Sequence, residues 1–371
     1  AAAREEALVV VAAEGVFPEA RGLPVQGVPE VPGARFDPRA LRLPPSVRLL
    51  PDIAEDMDVT QHLGLIAASA LVPKLAGFDT LRSSTALVLA LEGKTRRGVE
   101  AAQRVLAEST RRRLREHAQR VASAAPLLSL AERLQEAVTR TLRPSGPYTL
   151  QGMMPNVTPG RIAGALDTKG PNFVVDAGPG SLAASFRASR ALLDSGFELV
   201  LVGGAHVLRP GEDTAASAPG EGLALLAVTT AEKARQKGLT PLCQLHLSDA
   251  ARPEAVATPP SHLAREALAL LRAVRAASEG HASSLVLPSE AAAPVRFDFR
   301  PPPGAVSPPR PEATEGFEQS TPIQYHAPVL VERPVPAGDP SRWRGRRVLF
   351  LAQDESLARE LDAQAEVLCG A

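Results

Sequence analysis

The run PNFVVDAGPGSLAASFRASRALLDSGFELVLVGG, residues 171 to 204, constrains the fold more than any other part of the chain. Phe173, Val174 and Val175 form a short apolar strand that breaks at Asp176-Ala177-Gly178-Pro179-Gly180 into a helix starting at Ser181. Leu182, Phe186, Ser189, Leu192 and Leu193 recur along one side, which predicts an amphipathic helix over Ser181 to Asp194. FELVLVGGAHVL then supplies an all-apolar strand closed by Gly203-Gly204, where small residues let backbone approach backbone. Continuous apolar strands alternating with helices predict an α/β fold whose central strands, Phe173 to Val175 among them, are buried. A strand that turns sharply into a helix is also a place where enzymes mount nucleophiles.

The same grammar recurs along the chain. ALVVVAAEG (7 to 15) and STALVLALEG (84 to 93) read as buried strands. GEGLALLAVTTAEKARQKG (220 to 238) is a glycine lead-in, an apolar strand and a short helix, with Lys233, Arg235 and Lys237 where cations suit the dipole. After Asp58, the stripe Leu63, Ile66, Ala67, Ala70 and Leu71 predicts a helix with an Asp or Thr cap, ended by Pro73. The prolines between 17 and 51 predict a surface-hugging loop, and Val99 to Leu142 reads as two helices broken near Pro126. Lys169-Gly170 before Pro171 predicts a helix stop and tight turn. Beyond Cys243 the signals thin to a strand-like QLHLSD, one good helix (Ser261 to Ala277) and the strand SSLVLP.

Composition narrows the function classes. A chain of 371 residues with 44% apolar and 22% charged side chains can bury a sizeable core, as one large domain or two smaller ones. Lysine plus arginine and aspartate plus glutamate both count 41, so nothing at whole-chain level points to nucleic acid or an anionic membrane. One Trp and two Tyr argue against carbohydrate platforms or base-stacking surfaces. Cys243 and Cys369 are far apart with no CxxC spacing, so neither a disulfide framework nor a zinc site is expected, and no metal or cofactor is assigned. A reducing, cytoplasmic setting follows, with no signal peptide and no membrane span expected.

MPNVTPGRIAGALDTKGPNFVVDAGPGSLAASFRASRALLDSGFELVLVGG resembles the central signature of the β-ketoacyl synthases, the condensing enzymes of fatty-acid and polyketide assembly, which share the thiolase fold. Upstream, Arg35-Phe36-Asp37-Pro38, Leu43-Pro44-Pro45 and the helix after Asp58 are similar to the family's N-terminal block; downstream, Gly220-Glu221-Gly222 matches its GEG turn. The resemblance covers about residues 7 to 245 in order. It implies a thiolase-like layered fold with a second half that is truncated here.

The resemblance also says what the turn at 176 to 181 ought to carry. In the family, Val-Asp-Thr/Ala-Ala-Cys-Ser/Ala-Ser-Ser-Leu places a thiolate at the top of the helix, where the N-terminus lowers its pKa and offers amides to an oxyanion. Here Val175-Asp176-Ala177-Gly178 leads to Pro179, Gly180, Ser181 and Leu182: Pro179 stands in the cysteine's place and the turn is one residue shorter. Proline offers neither nucleophile nor N–H donor. Ser181 is the remaining hydroxyl; it either caps the helix or attacks a substrate, and attack requires an oriented base. The family's EAHGTGT-like and KSNIGH-like histidine motifs are absent. His206, His246 and His281 are the candidate bases, each with the alternative of an ordinary structural or exposed histidine.

These readings predict no catalytic residue at the degenerate turn Asp176, Gly178, Pro179, Gly180, Ser181. A catalytically inactive, chain-length-factor-like scaffold is expected: a homodimer or the partner of an active ketosynthase, in a polyketide or fatty-acid synthase multienzyme. Alternatives are a decarboxylase or hydrolase using Ser181, an acyl-binding module, and an unrelated α/β domain. The resemblance implies contact with an acidic acyl carrier protein; Arg111, Arg112, Arg113 and Arg115, or the arginines at 344 to 347, suit that role, or else form a solvated, locally paired face. The expected domains are 1–297 (ketosynthase-like), 298–345 (a Pro-rich linker wrapping back, with QYHAPVLVERPV as its strand) and 346–371 (the start of a following, possibly Rossmann-like domain).

Overall fold

The computed structural model describes residues 7–302, apart from 20–21, 30–34, 38–39, 122–125, 210–211, 213–219, 251–262 and 290–292. The linker strand at 324–335, the arginines at 344–347 and the 346–371 unit lie outside the described residues. Among the described residues nine strands form one sheet: β1 (Leu8–Pro18), β2 (Pro24–Gln26), β3 (Thr85–Leu91), β4 (Asn172–Val175), β5 (Leu199–His206), β6 (Gly222–Thr230), β7 (Cys243–Asp249), β8 (Ser283–Leu287) and β9 (Val295–Arg300). Their order is β4-β3-β5-β6-β1-β7-β9-β8, with β2 paired to β1. β3 runs parallel to β4 and β5; the pairings from β5 through β6, β1, β7 and β9 to β8 are antiparallel.

The helices are α1 (Pro51–Asp56), α2 (Val59–Leu71), α3 (Phe78–Leu81), α4 (Arg96–Arg120), α5 (Pro126–Thr141), α6 (Thr149–Met153), α7 (Val157–Leu166), α8 (Ser181–Asp194), α9 (Ala231–Lys237) and α10 (Leu263–Ser278). Alternation along the central strands divides the core in two. Ala86, Val88 and Ala90 of β3 and Val200 and Val202 of β5 face α8 and α10, which bring Leu182, Phe186, Leu270 and Val274. Leu87, Leu89, Leu199 and Leu201 face the other way, against Leu63, Ala67 and Leu71 of α2 and Ile162 of α7. With both faces covered, every residue of β3, β5 and β6 is buried, which is why their sequences are apolar without alternation.

Beyond Cys243 the described residues carry one strand more than the sequence reading finds. β9 was missed: Val295, Phe297 and Phe299 point inward while Arg296 and Arg300 are exposed, a period-two pattern beside a Pro-rich run. The expected 297/298 boundary falls inside it. Phe297 meets Phe186 of α8 edge-on, with ring centroids 5.1 Å apart, and so ties this half to the helix that follows the 176–181 turn.

Two further expectations need correction. Phe173 to Val175 is not a central buried strand: β4 is the sheet's edge, and these three residues are only half-buried. The helix before it stops at Leu166, where Asp167 takes a left-handed conformation (φ 56°) and Thr168 N–H donates to Ala163 O (3.0 Å), not at Lys169-Gly170. Gly170 serves another purpose: a Cβ there would lie 2.3 Å from the Thr85 carbonyl oxygen, so the chain passes against the start of β3 only without a side chain.

Asp58 caps two helices at once. Its Oδ1 accepts from Thr60 N (2.9 Å) at the start of α2, and its Oδ2 accepts from Arg97 N (2.8 Å) in the first turn of α4. Apart from Arg97 and Ala131, which are buried, the helical pair α4–α5 is exposed or half-buried. Within the arginine run, Arg111 bonds Glu108 at 3.0 Å on its own helix, the locally paired arrangement.

At the amino-terminal end of the parallel strands, Glu198 accepts from Ser84 Oγ (2.5 Å) and pairs with Lys237 of α9 (2.5 Å). The hydrogen bonds from Lys237 and Ser84 hold its carboxyl below the ordinary glutamate range. A lowered folded pKa contributes stability above the unfolded value, about 4.3, that is lost as pH falls through the folded value. The urea midpoint of Glu198→Gln is therefore expected below wild type at pH 7, with the gap closing as the pH drops below about 4.

Candidate functional site at the carboxyl ends of the parallel strands

The carboxyl ends of β4, β3 and β5 lie along one edge, where α/β sheets place their ligands. The 176–181 turn is there. Asp176 is exposed; its Oδ2 accepts from Gly93 N (3.0 Å), tying the end of β4 to the segment after β3. Pro179 is exposed on the turn and Gly180 is the N-cap of α8. The turn closes through Gly180 N–H to Ala177 O and Ser181 N–H to Gly178 O, both 3.0 Å.

Ser181 differs from its expected capping role. It is the first helical residue, fully buried, and makes no side-chain cap to the helix amides. Its Oγ donates to Gly178 O (2.7 Å) and accepts from Ala177 N (2.9 Å), so its hydrogen bonds stitch the turn that precedes the helix. A hydroxyl proton committed to a carbonyl is not held by a base, which nucleophilic activation requires.

The three histidines do not converge on it. His246 on β7 is half-buried and pairs in register with Asp298 of β9. β7 is five places from β4 in the sheet, about 24 Å at the usual inter-strand spacing. His281 is exposed in the turn after α10, its N–H donating to Ala276 O (2.9 Å). His206 ends β5 at the right edge of the sheet and is 8% exposed, yet Ser181 Oγ bonds the backbone of Gly178 and Ala177. His206 instead lines, with Thr60, Glu92, Lys94, Arg96 and Pro155, a cavity of about 20 Å³. That is room for about one water molecule, far too little for an acyl group.

What dominates this edge is a carboxylate that sequence reading matched to the GEG turn without assigning it a task. Glu221 is fully buried just before β6. It accepts from Phe36 N (2.8 Å) and Leu208 N (3.2 Å) and is paired with Arg96 of α4. Burial pushes its carboxyl above the ordinary range, opposed by Arg96 and the two amides. One side chain thus joins the 36 loop, the chain leaving β5 and the start of α4. Asp56 and Arg97 make a second buried pair, 2.9 Å apart. The flanking glycines were the available sequence signal for Glu221; nothing in sequence pairs Asp56 with Arg97.

Cys243, on β7, is buried, and burial pushes its thiol up to about 12, which makes it inert near neutral pH. Among the described residues no cluster of His, Cys, Asp and Glu could hold a metal ion, and no single helix is long and apolar enough to cross a membrane.

Comparison with known proteins agrees with this architecture. The structure of a type II polyketide synthase acyl-carrier protein in complex with its ketosynthase bound to the hexaketide (AntDE:AntF) is similar at a TM-score of 0.53 and 11% identity, over 80% of this chain and 99% of that one. The ketosynthase from module 1 of the bacillaene synthase of Bacillus amyloliquefaciens FZB42 is similar at a TM-score of 0.50 and 12% identity, over 81% and 77%. Among curated proteins none matches. Residues 33–234, more than half of the chain, match the family described as beta-ketoacyl synthase, N-terminal domain, and the chain therefore belongs to the β-ketoacyl synthase family.

Proposed function

We propose that this protein is a catalytically silent ketosynthase-like domain that serves as a pairing or docking scaffold in cytoplasmic polyketide or fatty-acid assembly. The observation that carries the reading is the turn itself. Pro179 stands where the family's thiolate belongs, and the Ser181 hydroxyl is buried with both hydrogen bonds spent on turn backbone. An acyl carrier protein is the natural partner for a member of this family, and the AntDE:AntF relative is described as such a complex.

Edge-to-edge pairing through β4 is supported by the free side of that strand. Leu87 N–H donates to Pro171 O (2.9 Å), so in the alternating pattern of a parallel ladder the groups of Asn172 and Val174 point outward. A scaffold of this kind has twice the chain mass in solution, and Val174→Pro, which removes an outward amide without breaking the β3 ladder, yields monomer.

Silence is tested by incubating the full chain with malonyl- and acyl-carrier thioesters and following intact mass and thioester loss. No adduct and no turnover above background are expected, for wild type and Ser181→Ala alike. Turnover or an acyl adduct that Ser181→Ala abolishes would establish the decarboxylase or hydrolase alternative instead.

A further inference from the structure

We propose that the cleft formed by residues 41–43, the end of α1 and the first turn of α2 binds a hydroxylated apolar carboxylic acid, its carboxylate at Arg42 and its hydroxyl at His62. The cleft measures about 430 Å³, in the usual range for small-molecule sites of about 300–1,000 Å³. It shares no lining residue with the small cavity: Thr60 lines that cavity, whereas Val59 and His62 line this cleft. The inference is therefore independent of the silent turn.

The walls are apolar, from Leu41, Leu43, Ala54, Met57 and Val59. Four polar side chains interrupt them, and two of these neutralise each other. Arg143 bonds both the carbonyl and the carboxylate of Glu55 and lies 3.6 Å from Asp56. Arg42 is exposed at the rim, and among the described residues it makes no ion pair, which leaves one uncompensated positive charge beside an apolar surface. An anion attached to a hydrocarbon fits that pairing better than a free ion or a neutral oil.

His62 supplies the second polar contact. Its Nδ1 lies 3.2 Å from the carbonyl oxygen of Asp58, and a carbonyl only accepts, so Nδ1 carries the proton. Nε2 is then the acceptor, with no partner among the described residues. Burial holds the ring's pKa below its ordinary value, keeping it neutral at pH 7. A neutral imidazole with a free lone pair takes a hydrogen bond from a donor, which a carboxylate lacks and a hydroxyl has.

The test is calorimetric titration of the full chain with 3-hydroxydecanoate and with decanoate below their micellar concentrations. One saturable site per chain is expected, with the hydroxy acid bound about five-fold tighter, the worth of one hydrogen bond. His62→Phe should erase that preference while keeping decanoate binding. Arg42→Glu, at an exposed position that leaves the fold intact, should weaken both acids several-fold, and Leu43→Trp should fill the cleft and abolish binding. No saturable heat, equal affinity for the two acids, or binding unchanged in Arg42→Glu and in a Leu43→Trp protein with a wild-type thermal transition would overturn the proposal.

Discussion

Gly203→Ala is expected to leave the chain unable to reach its stable fold. A Cβ at residue 203 would sit 1.9 Å from the Ala224 carbonyl oxygen and 3.0 Å from the Leu225 Cα, so the added methyl meets the backbone of β6 and no flexible side chain can yield. β5 and β6 are fully buried and bonded along their length at the middle of the sheet, and relief requires moving one strand against both core halves. Overpacking a well-filled core costs about 1–3 kcal/mol when side chains can adjust, and more when backbone must move. Against a total of about 5–15 kcal/mol, a loss of about 3 kcal/mol or more lowers the urea midpoint drastically or yields insoluble protein. Gly204→Ala is the control. Its Cβ would meet Leu263 Cδ1 at 3.0 Å and Leu182 Cδ1 at 3.2 Å, side-chain ends that can shift. A Gly203→Ala protein as stable as Gly204→Ala would contradict the close approach of β5 to β6.

Glu221→Ala is expected to cost about 3–5 kcal/mol, the usual penalty for removing one partner of a buried ion pair. The loss has two sources. Arg96 keeps a guanidinium that is only 16% exposed but loses its counter-charge, and the Phe36 and Leu208 amides lose their acceptor. Glu221→Gln retains an acceptor oxygen and should lose distinctly less. Because the same carboxylate holds the loop at 36 and the chain after β5, amide hydrogen exchange in Glu221→Ala should rise at Phe36 and Leu208 before it rises in β3 or β5. Uniform acceleration across the sheet would mean that Glu221 supports the fold as a whole instead of fastening its carboxyl-terminal edge.

Helix α8 begins and ends where the spacing of Leu182, Phe186, Ser189 and Leu193 places it, and β3, β5 and β6 lie within their apolar runs. These elements were legible because burial on both faces of a strand, or on one side of a helix, writes itself into a single stretch of chain. The position of Phe173–Val175 was not legible, since an apolar run states that a strand is covered but not how many neighbours it has. The end of α7 was misplaced for a related reason: Gly170 looked like a helix stop but answers to the backbone of Thr85, which is remote in sequence. The candidate site divides in the same way. The proline at 179 in the turn before α8 is plain in the sequence, whereas the capture of Ser181 Oγ by Gly178 and Ala177 is not.

The sequence by itself determined the α/β class, the strand–turn–helix with proline at its apex, and membership in a family of condensing enzymes, because periodicity and motif are local properties of the chain. Only the tertiary structure decided that β4 is an edge, that Glu221 fastens Phe36, Leu208 and Arg96 together, and that His62 and Arg42 share a cleft. Each of these depends on distances between residues far apart in the chain. Such distances are fixed by the packing of both core halves at once, and no single segment records them.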